Sequence, residues 1–145
     1  MTHPAILETH EAFGETTCIA DPAQIAELCG FLRTEEKYVR LSAVTAVDWH
    51  PAEPRFEVVY HLHSVEKNQR LRVKCRLSGS APEIDSVYSI WRAADWYERE
   101  VFDMFGIQFR NHPNLVRILM PVDWDGHPLR KDYQMPAEYH GIPAR

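Results

Sequence analysis

The chain is poor in the residues that usually build redox and nucleotide sites. Its 145 residues include only three cysteines, Cys18, Cys29 and Cys75, and no two of them form a CxxC pair. A cysteine-ligated zinc or iron–sulfur site is therefore disfavoured, and we expect three small buried hydrophobes. The six glycines never cluster as GxGxxG or GxxxxGKS, and no GxSxG sequence occurs. Neither a nucleotide-binding loop nor a hydrolase nucleophile is indicated.

Long apolar runs and an excess of basic residues are also absent. No window reaches the roughly 18 consecutive apolar residues of a membrane span, and no basic start followed by an apolar run marks a signal peptide. The formal net charge of −5 disfavours nucleic acid as a partner. Few, scattered cysteines are typical of a reducing compartment. We therefore expect a cytoplasmic chain, with any membrane association made through partners.

Alternating apolar residues predict three consecutive strands. They cover Arg40–His50, Arg55–Val65 and Arg70–Leu77, and a shorter strand is predicted over Thr16–Ala20. Each long strand has one apolar and one polar face, as antiparallel sheets with one solvated face do. In the first long strand the face assigned to the core consists of Leu41, Ala43, Thr45 and Val47.

Capping residues and apolar spacing predict the helices. Asp21 and Pro22 are typical of a helix start, so a helix is expected over Asp21–Arg33. A second helix is expected over Ala93–Phe105, ended by Gly106, and a short one over Ala5–Phe13. The expected fold is α+β: a two-layer sandwich with helices on one face of a mixed, mainly antiparallel sheet.

The segment Glu98–Tyr133 is dense in both charged and apolar residues, and after its helix it shows neither helical nor strand periodicity. Stretches without regular structure beyond about 12–15 residues are uncommon inside compact domains. This one is also too apolar for solvated disorder. We therefore predict a domain over residues 1–106 and an extended tail over residues 107–145 that lies on another surface, such as that of another protein.

Acidic and histidine residues suggest metal sites only weakly. Glu98 and Glu100 lie some 200° apart on a helix and cannot share one ion, so they and Asp103 are expected on a solvated or partner-facing surface. His61 and His63 share a strand face without an evident third ligand. A stand-alone metal-dependent enzyme using these two histidines and a tail carboxylate is a less favoured hypothesis.

Two features of the tail itself point to turns and to docking. His112 and His127 each precede a proline, which favours rigid turns over a proton-carrying or quinone-facing role. Arg130, Lys131 and Asp132 are interleaved with apolar and aromatic side chains. Trp, Tyr and Arg dominate protein-interface hot spots, so this part of the tail is predicted to contact a partner.

Four motifs together resemble a known family. They are EREVFDMFGI at Glu98–Ile107, HPNL at His112–Leu115, RIL at Arg117–Leu119 and PLRKDY at Pro128–Tyr133. They look like the hallmark of the C subunit of respiratory NADH–quinone oxidoreductase, which is the 30 kDa-type subunit of complex I. The similarity spans roughly residues 41–133. Family members usually have proline directly after the last motif, which this chain lacks, so the path of residues 134–145 is left open.

The resemblance implies a non-catalytic subunit of the peripheral arm, at the cytoplasmic face of the cell membrane. FMN, iron–sulfur clusters and a quinone would lie on or near other subunits, with no cofactor on this chain. The implied partners are the large quinone-site subunit and the small cluster-bearing subunit. Related subunits occur in membrane-bound hydrogenases and other quinone-linked complexes, which is the alternative. The residues expected to contact partners are Glu98, Arg99, Glu100, Asp103, Phe105, Gly106, His112, Pro113, Leu115, Arg117, Trp124, Pro128, Leu129, Arg130, Lys131, Asp132 and Tyr133.

Overall fold

The computed structural model describes residues 2–143, so the last two residues of the predicted tail lie outside the described part. A five-stranded sheet forms one layer. Its strands are ordered β1-β2-β5-β4-β3, and only β2 and β5 run parallel. The expected mixed, mainly antiparallel sheet is confirmed. The strands are β1 (Ile6–Ala12), β2 (Glu15–Ala20), β3 (Arg40–Asp48), β4 (Phe56–Ser64) and β5 (Gln69–Leu77).

Two helices, α1 (Ile25–Thr34) and α2 (Ala94–Phe105), complete the α+β fold. Their apolar stripes and the inward residues of the strands form one hydrophobic cluster, so the core lies between the sheet and the helices. Strand β4, which lies between β5 and β3, contributes Phe56, Val58 and Tyr60, all fully buried. The three cysteines are free and buried, as expected from the burial habit of free cysteine.

The N-terminal segment is a strand, and the predicted helix over Ala5–Phe13 is wrong. Strand β1 pairs with β2 through a two-residue turn at Phe13 and Gly14, whose φ angles are +53° and +77°. A two-residue turn with both central residues in the left-handed region matches the natural twist of a hairpin. Gly14 therefore makes a hairpin turn, where the sequence suggested a helix stop.

A β-bulge in β3 changes the face that the sequence predicted for the core. The pairing with β4 slips between Leu41 and Ala43, which leaves Ser42 as the extra residue. A bulge adds one residue to one strand, so the alternation inverts beyond it. Leu41 still points to the core, but Val44 and Ala46 are the next buried residues, and Thr45 is exposed.

Two predicted helix ends are confirmed. Asp21 Oδ1 accepts the backbone N–H of Ala23 at 3.0 Å and caps a 3-10 turn that leads into α1. Gly106 ends α2 with φ +76° and donates its N–H to the carbonyl of Phe102. A left-handed residue at this position is a common helix stop, and glycine adopts it at no steric cost.

Candidate docking surface

The chain passes from α2 into the tail without leaving the core. Ile107 and Phe109 are buried in the main hydrophobic cluster. Strand β7 (Gln108–Arg110) runs parallel to β6 (Glu83–Asp85) and forms a small second sheet with it. The division predicted at residue 106 therefore separates two segments that pack together.

Asp103, near the end of α2, anchors the first half of the tail. Its fully buried carboxylate accepts the backbone N–H groups of Ile118, Leu119 and Met120 through Oδ2, at 3.2, 2.7 and 2.9 Å. Its Oδ1 lies 3.2 Å from Nη1 of Arg117. One carboxylate thus satisfies three successive amide groups and one guanidinium, which fixes a turn of tail that has no helix or strand of its own.

A second carboxylate, Asp48 at the end of β3, anchors the PLRKDY motif. Both oxygens of Asp48 accept hydrogen bonds from the Arg55 guanidinium at 2.8 Å, and Oδ2 also accepts the N–H of Lys131 at 2.8 Å. Arg55 extends further to Asp132, 2.7 Å away. The Arg55 guanidinium holds the pKa of Asp48 far below its usual range, in spite of burial, and the N–H donors act in the same direction.

The C-terminal end of α2 provides the third attachment. Arg130 Nε donates to the carbonyl of Phe105 at 2.6 Å, and Leu129 N donates to that of Met104 at 3.0 Å. His127 Nδ1 lies 2.9 Å from the carbonyl oxygen of Asp103, so that nitrogen carries the proton. The tail crosses Gly106 so closely that a Cβ there would meet His127 at 2.6 Å.

A buried carboxylate on α2 also holds the segment before the helix. Glu98 accepts the Ser86 hydroxyl at 2.5 Å and the N–H of Val87 at 3.0 Å. Burial raises the pKa of Glu98 to about 7, although both hydrogen bonds act against it. Glu98 and Asp103 are both fully buried. The expectation that they lie on a solvated or partner-facing surface is therefore corrected.

These anchors hold Arg117, Arg130 and several backbone groups of the tail against the domain, yet several large apolar side chains of the tail stay exposed. Six of the twelve exposed large apolar side chains among residues 2–143 lie in the tail, which is little more than a quarter of that length. Val122 is 90% exposed, Leu119 59% and Leu129 54%. A soluble surface segment normally has the opposite arrangement, and concentrated exposed apolar side chains mark interaction sites.

Helix α2 extends this apolar surface with a residue that the sequence analysis overlooked. Trp96 is 61% exposed, and the Arg99 guanidinium lies 4.6 Å from the centre of its ring. Arg99 Nε also donates to the carbonyl of Val116 at 3.1 Å, so it joins the helix to the tail. An exposed tryptophan on the polar side of the helix was the available signal. We define the tail docking surface as Trp96, Arg99, Val116, Leu119, Val122 and Leu129.

The structure divides the predicted contact residues into three groups. Arg99, Glu100, Pro113, Leu129 and Lys131 have outward or partly outward side chains. Asp132 is exposed but bonded to Arg55. The others are buried or partly buried: Glu98, Asp103, Phe105, Gly106, His112, Leu115, Arg117, Trp124, Pro128, Arg130 and Tyr133.

In the tail, Trp124 and Tyr133 are hydrogen-bonded to each other, and the side chain of His112 is buried. Trp124 Nε1 donates to the Tyr133 hydroxyl at 2.9 Å. The His112 ring accepts the N–H of Asn114 and lies 3.1 Å from the carbonyl oxygen of Asp95, with Asp95 Oδ1 at 3.2 Å. Its side chain has no exposed surface. His112 therefore holds a turn, as the proline after it suggested.

No metal-binding cluster of three His, Cys, Asp or Glu side chains occurs in the described residues. His61 and His63 lie on the open face of the sheet, far along the chain from the tail carboxylates. Across residues 2–143, no helix is both long and apolar enough to cross a bilayer.

Comparison with known proteins identifies the family of this chain. A profile described as "Respiratory-chain NADH dehydrogenase, 30 Kd subunit" matches residues 18–139. The chain belongs to this family. It is 51% identical over 131 residues to the NADH-quinone oxidoreductase C subunit of Citrifermentans bemidjiense, covering 90% of this chain and 81% of that protein. The corresponding C subunit of Geobacter metallireducens is 47% identical over 132 residues, with 90% and 82% covered.

Solved structures share the fold of this family. The trypsin-resistant fragment (1-134) of Nqo5 superposes with a TM-score of 0.69 at 25% identity, covering 74% of this chain and 89% of that one. A chain of the membrane-bound sulfane sulfur reductase, an archaeal respiratory membrane complex, gives a TM-score of 0.70 at 28% identity, with 92% and 80% covered. The family and its α+β fold are thus established.

Proposed function

We propose that this chain is a non-catalytic structural subunit of the peripheral arm of a proton-translocating NADH–quinone oxidoreductase, and that its tail braces the quinone-reducing module. The partners would be the large quinone-site subunit and the small cluster-bearing subunit, at the cytoplasmic face of the membrane. FMN, iron–sulfur clusters and quinone would be held by or near other subunits.

One observation carries this proposal: the tail is bonded to its own domain through polar groups while Leu119, Val122 and Leu129 keep their apolar side chains exposed. Such a surface has no partner within the described chain. Burying Val122, Leu119 and Leu129 against another protein would stabilise a complex by about 1.5–3 kcal/mol per side chain before the costs of association. The names of the relatives favour the NADH–quinone complex over a hydrogenase.

Two aspartate substitutions on the tail test the bracing role. Leu119→Asp and Val122→Asp place charges on the docking surface without removing an anchor. We expect the isolated chain to melt unchanged, while the peripheral arm carrying the variant fails to assemble on native gels. Val65→Asp is the matched control, because Val65 is similarly exposed at 65% but lies in the β4–β5 turn. Normal assembly and normal quinone reduction by the double variant would overturn the bracing role.

The non-catalytic part of the proposal has its own measurement. The chain purified anaerobically should absorb only in the aromatic band of the spectrum. A stoichiometric flavin or cluster spectrum, or stoichiometric zinc or iron, would contradict it.

A further inference from the structure

The open face of the sheet, opposite the helices, carries an unusual row of basic side chains. Register pairs Arg40 of β3 with His63 of β4, and His63 with Arg70 of β5. Paired residues in a sheet point to the same face with Cβ atoms about 5 Å apart, so these three side chains form a row across three strands. His61 and Arg72 form the next row in the same way. We call these five residues the basic groove.

Some basic side chains on this face of the sheet form ion pairs with acidic residues, and others do not. Arg72 lies 3.2 Å from Glu15, at the rim of the groove. Further along β5, Lys74 lies 3.8 Å from Glu57. Within residues 2–143, by contrast, neither Arg40 nor Arg70 forms a salt bridge or a side-chain hydrogen bond, and both are exposed. The unpaired positive charge is therefore concentrated at one end of the sheet.

Concentrating cations in this way costs stability. Unpaired like charges on one face of a sheet repel each other, and this chain has a net charge of −5, so acids for pairing are plentiful elsewhere. Burial, together with the neighbouring Arg72 and Lys74, lowers the pKa of His61. Burial is the larger cause, and the two cations add to it while Glu15 acts in the opposite direction.

The cations line a concave space. A cavity of about 440 Å³ opens between them, with Glu15 and Thr16 on one side and Ser42 and Ala43, at the bulge in β3, on the other. Arginines pair bidentately with carboxylates and are enriched at protein interfaces. The groove is open to solvent along the sheet, which suits a chain segment laid across it better than an enclosed small molecule.

We propose that the basic groove is a second docking surface, separate from the tail, which receives a carboxylate-rich segment of a partner subunit. The inference rests on the proposed function, because it takes the partner to be another subunit of the same complex. Charge complementarity would fix which segment docks there and would speed the encounter, as electrostatic matching does at other interfaces.

Zero-length carbodiimide cross-linking of the assembled complex tests the groove directly, since the reagent joins an amine only to a carboxylate in contact with it. Arg40→Lys and Arg70→Lys keep the charge and introduce the amine. We expect each to yield a cross-link to an Asp or Glu of another subunit, identified by mass spectrometry. Arg33→Lys, an exposed position on α1 outside the groove, is the control and should not reach the same segment. Absence of any intersubunit cross-link from positions 40 and 70 would overturn the proposal.

Charge reversal gives an independent measurement. The double variant Arg40→Glu with Arg70→Glu should weaken incorporation into the complex about tenfold or more, because like charges facing each other are strongly unfavourable. The isolated variant should be at least as stable as the parent, since its cations are unpaired. Undiminished incorporation, or binding of the parent chain to anionic phospholipid vesicles that this variant loses, would argue against a protein partner. If Leu119→Asp and Val122→Asp block assembly while the groove variants do not, only the groove proposal fails.

Discussion

The carboxylate of Asp103 accepts the backbone N–H of Leu119 at 2.7 Å, across sixteen residues of chain. The side chain of Leu119 points the other way, into solvent. Leu119 is thus held to the domain by its backbone N–H, while its side chain is free to contact another surface. This division of roles recurs along the tail and makes its anchors testable separately from its docking surface.

Asp103→Asn should release the first half of the tail. The substitution leaves Arg117 without its charged partner and removes acceptor capacity from three amides. Breaking a buried charge pair on one side typically costs about 3–5 kcal/mol, and a value near the lower end is expected here. Urea unfolding measures the loss, and hydrogen exchange should show deprotection of the amides of residues 118–120. The control Glu100→Gln, on the exposed side of α2, should change neither measurement. Tail amides that stay protected in Asp103→Asn would disprove the anchor.

Stability should fall at acid pH through Asp48. Its pKa in the folded chain is lowered from 3.8, mainly by Arg55, so the stabilisation is complete above about pH 4 and is lost as the pH falls below it. Asp48→Asn should lower the free energy of unfolding at pH 7 and reduce its further loss below about pH 4, as measured by urea unfolding at a series of pH values. Asp125→Asn, an exposed tail position, should show the same loss at acid pH as the parent. An unchanged loss at acid pH in Asp48→Asn would refute the assignment.

Glu98 should make the free energy of unfolding fall as the pH rises, which is the opposite of the effect of Asp48. Its pKa is raised from 4.5 to about 7, so the folded chain binds this proton more tightly than the unfolded chain does. The contribution is greatest below pH 4.5 and declines as the pH rises to 7. Glu98→Gln should therefore reduce the loss of stability between about pH 5 and 8, because an amide can satisfy Ser86 and Val87 without titrating. A parent whose stability is flat in this window would contradict the prediction.

Gly106→Ala should destabilise strongly and Gly30→Ala should stabilise. At Gly106 the backbone has φ +76° and a Cβ would lie within 2.7 Å of His127 and Arg130. The strained backbone alone costs about 1 kcal/mol, and displacement of the tail adds to it. Gly30 lies inside α1 with open space around it, so alanine there should gain about 0.5–1 kcal/mol. Thermal melts of the two variants, moving in opposite directions, provide the measurement.

The sheet and both long helices could be predicted because their signals are local. The alternation in β4 and β5 and the stop at Gly106 each depend on residues a few positions apart. Two wrong predictions also came from local ambiguity. Gly14 is compatible with a helix stop or a hairpin turn, and the pairing partner decides between them. The bulge at Ser42 changes the alternation of β3 without any proline or glycine to mark it.

The anchors of the tail could not be predicted in the same way. The density of charged residues marks the tail as unusual, but composition does not tell whether an arginine bonds its own domain or a partner. Lys131 meets Asp48 across 83 residues, and Asp132 meets Arg55 across 77. Contacts between residues so far apart in the chain depend on the folded sheet, so the residue spacing within the motif could not reveal them.

These contacts between distant parts of the chain constrain the order in which the domain and its tail fold. The tail is synthesised after the domain it lies on, and its binding sites on β3 and β4 exist only once those strands are paired. A truncated or misfolded chain therefore cannot arrange the apolar face. That face is therefore a signature of completed folding.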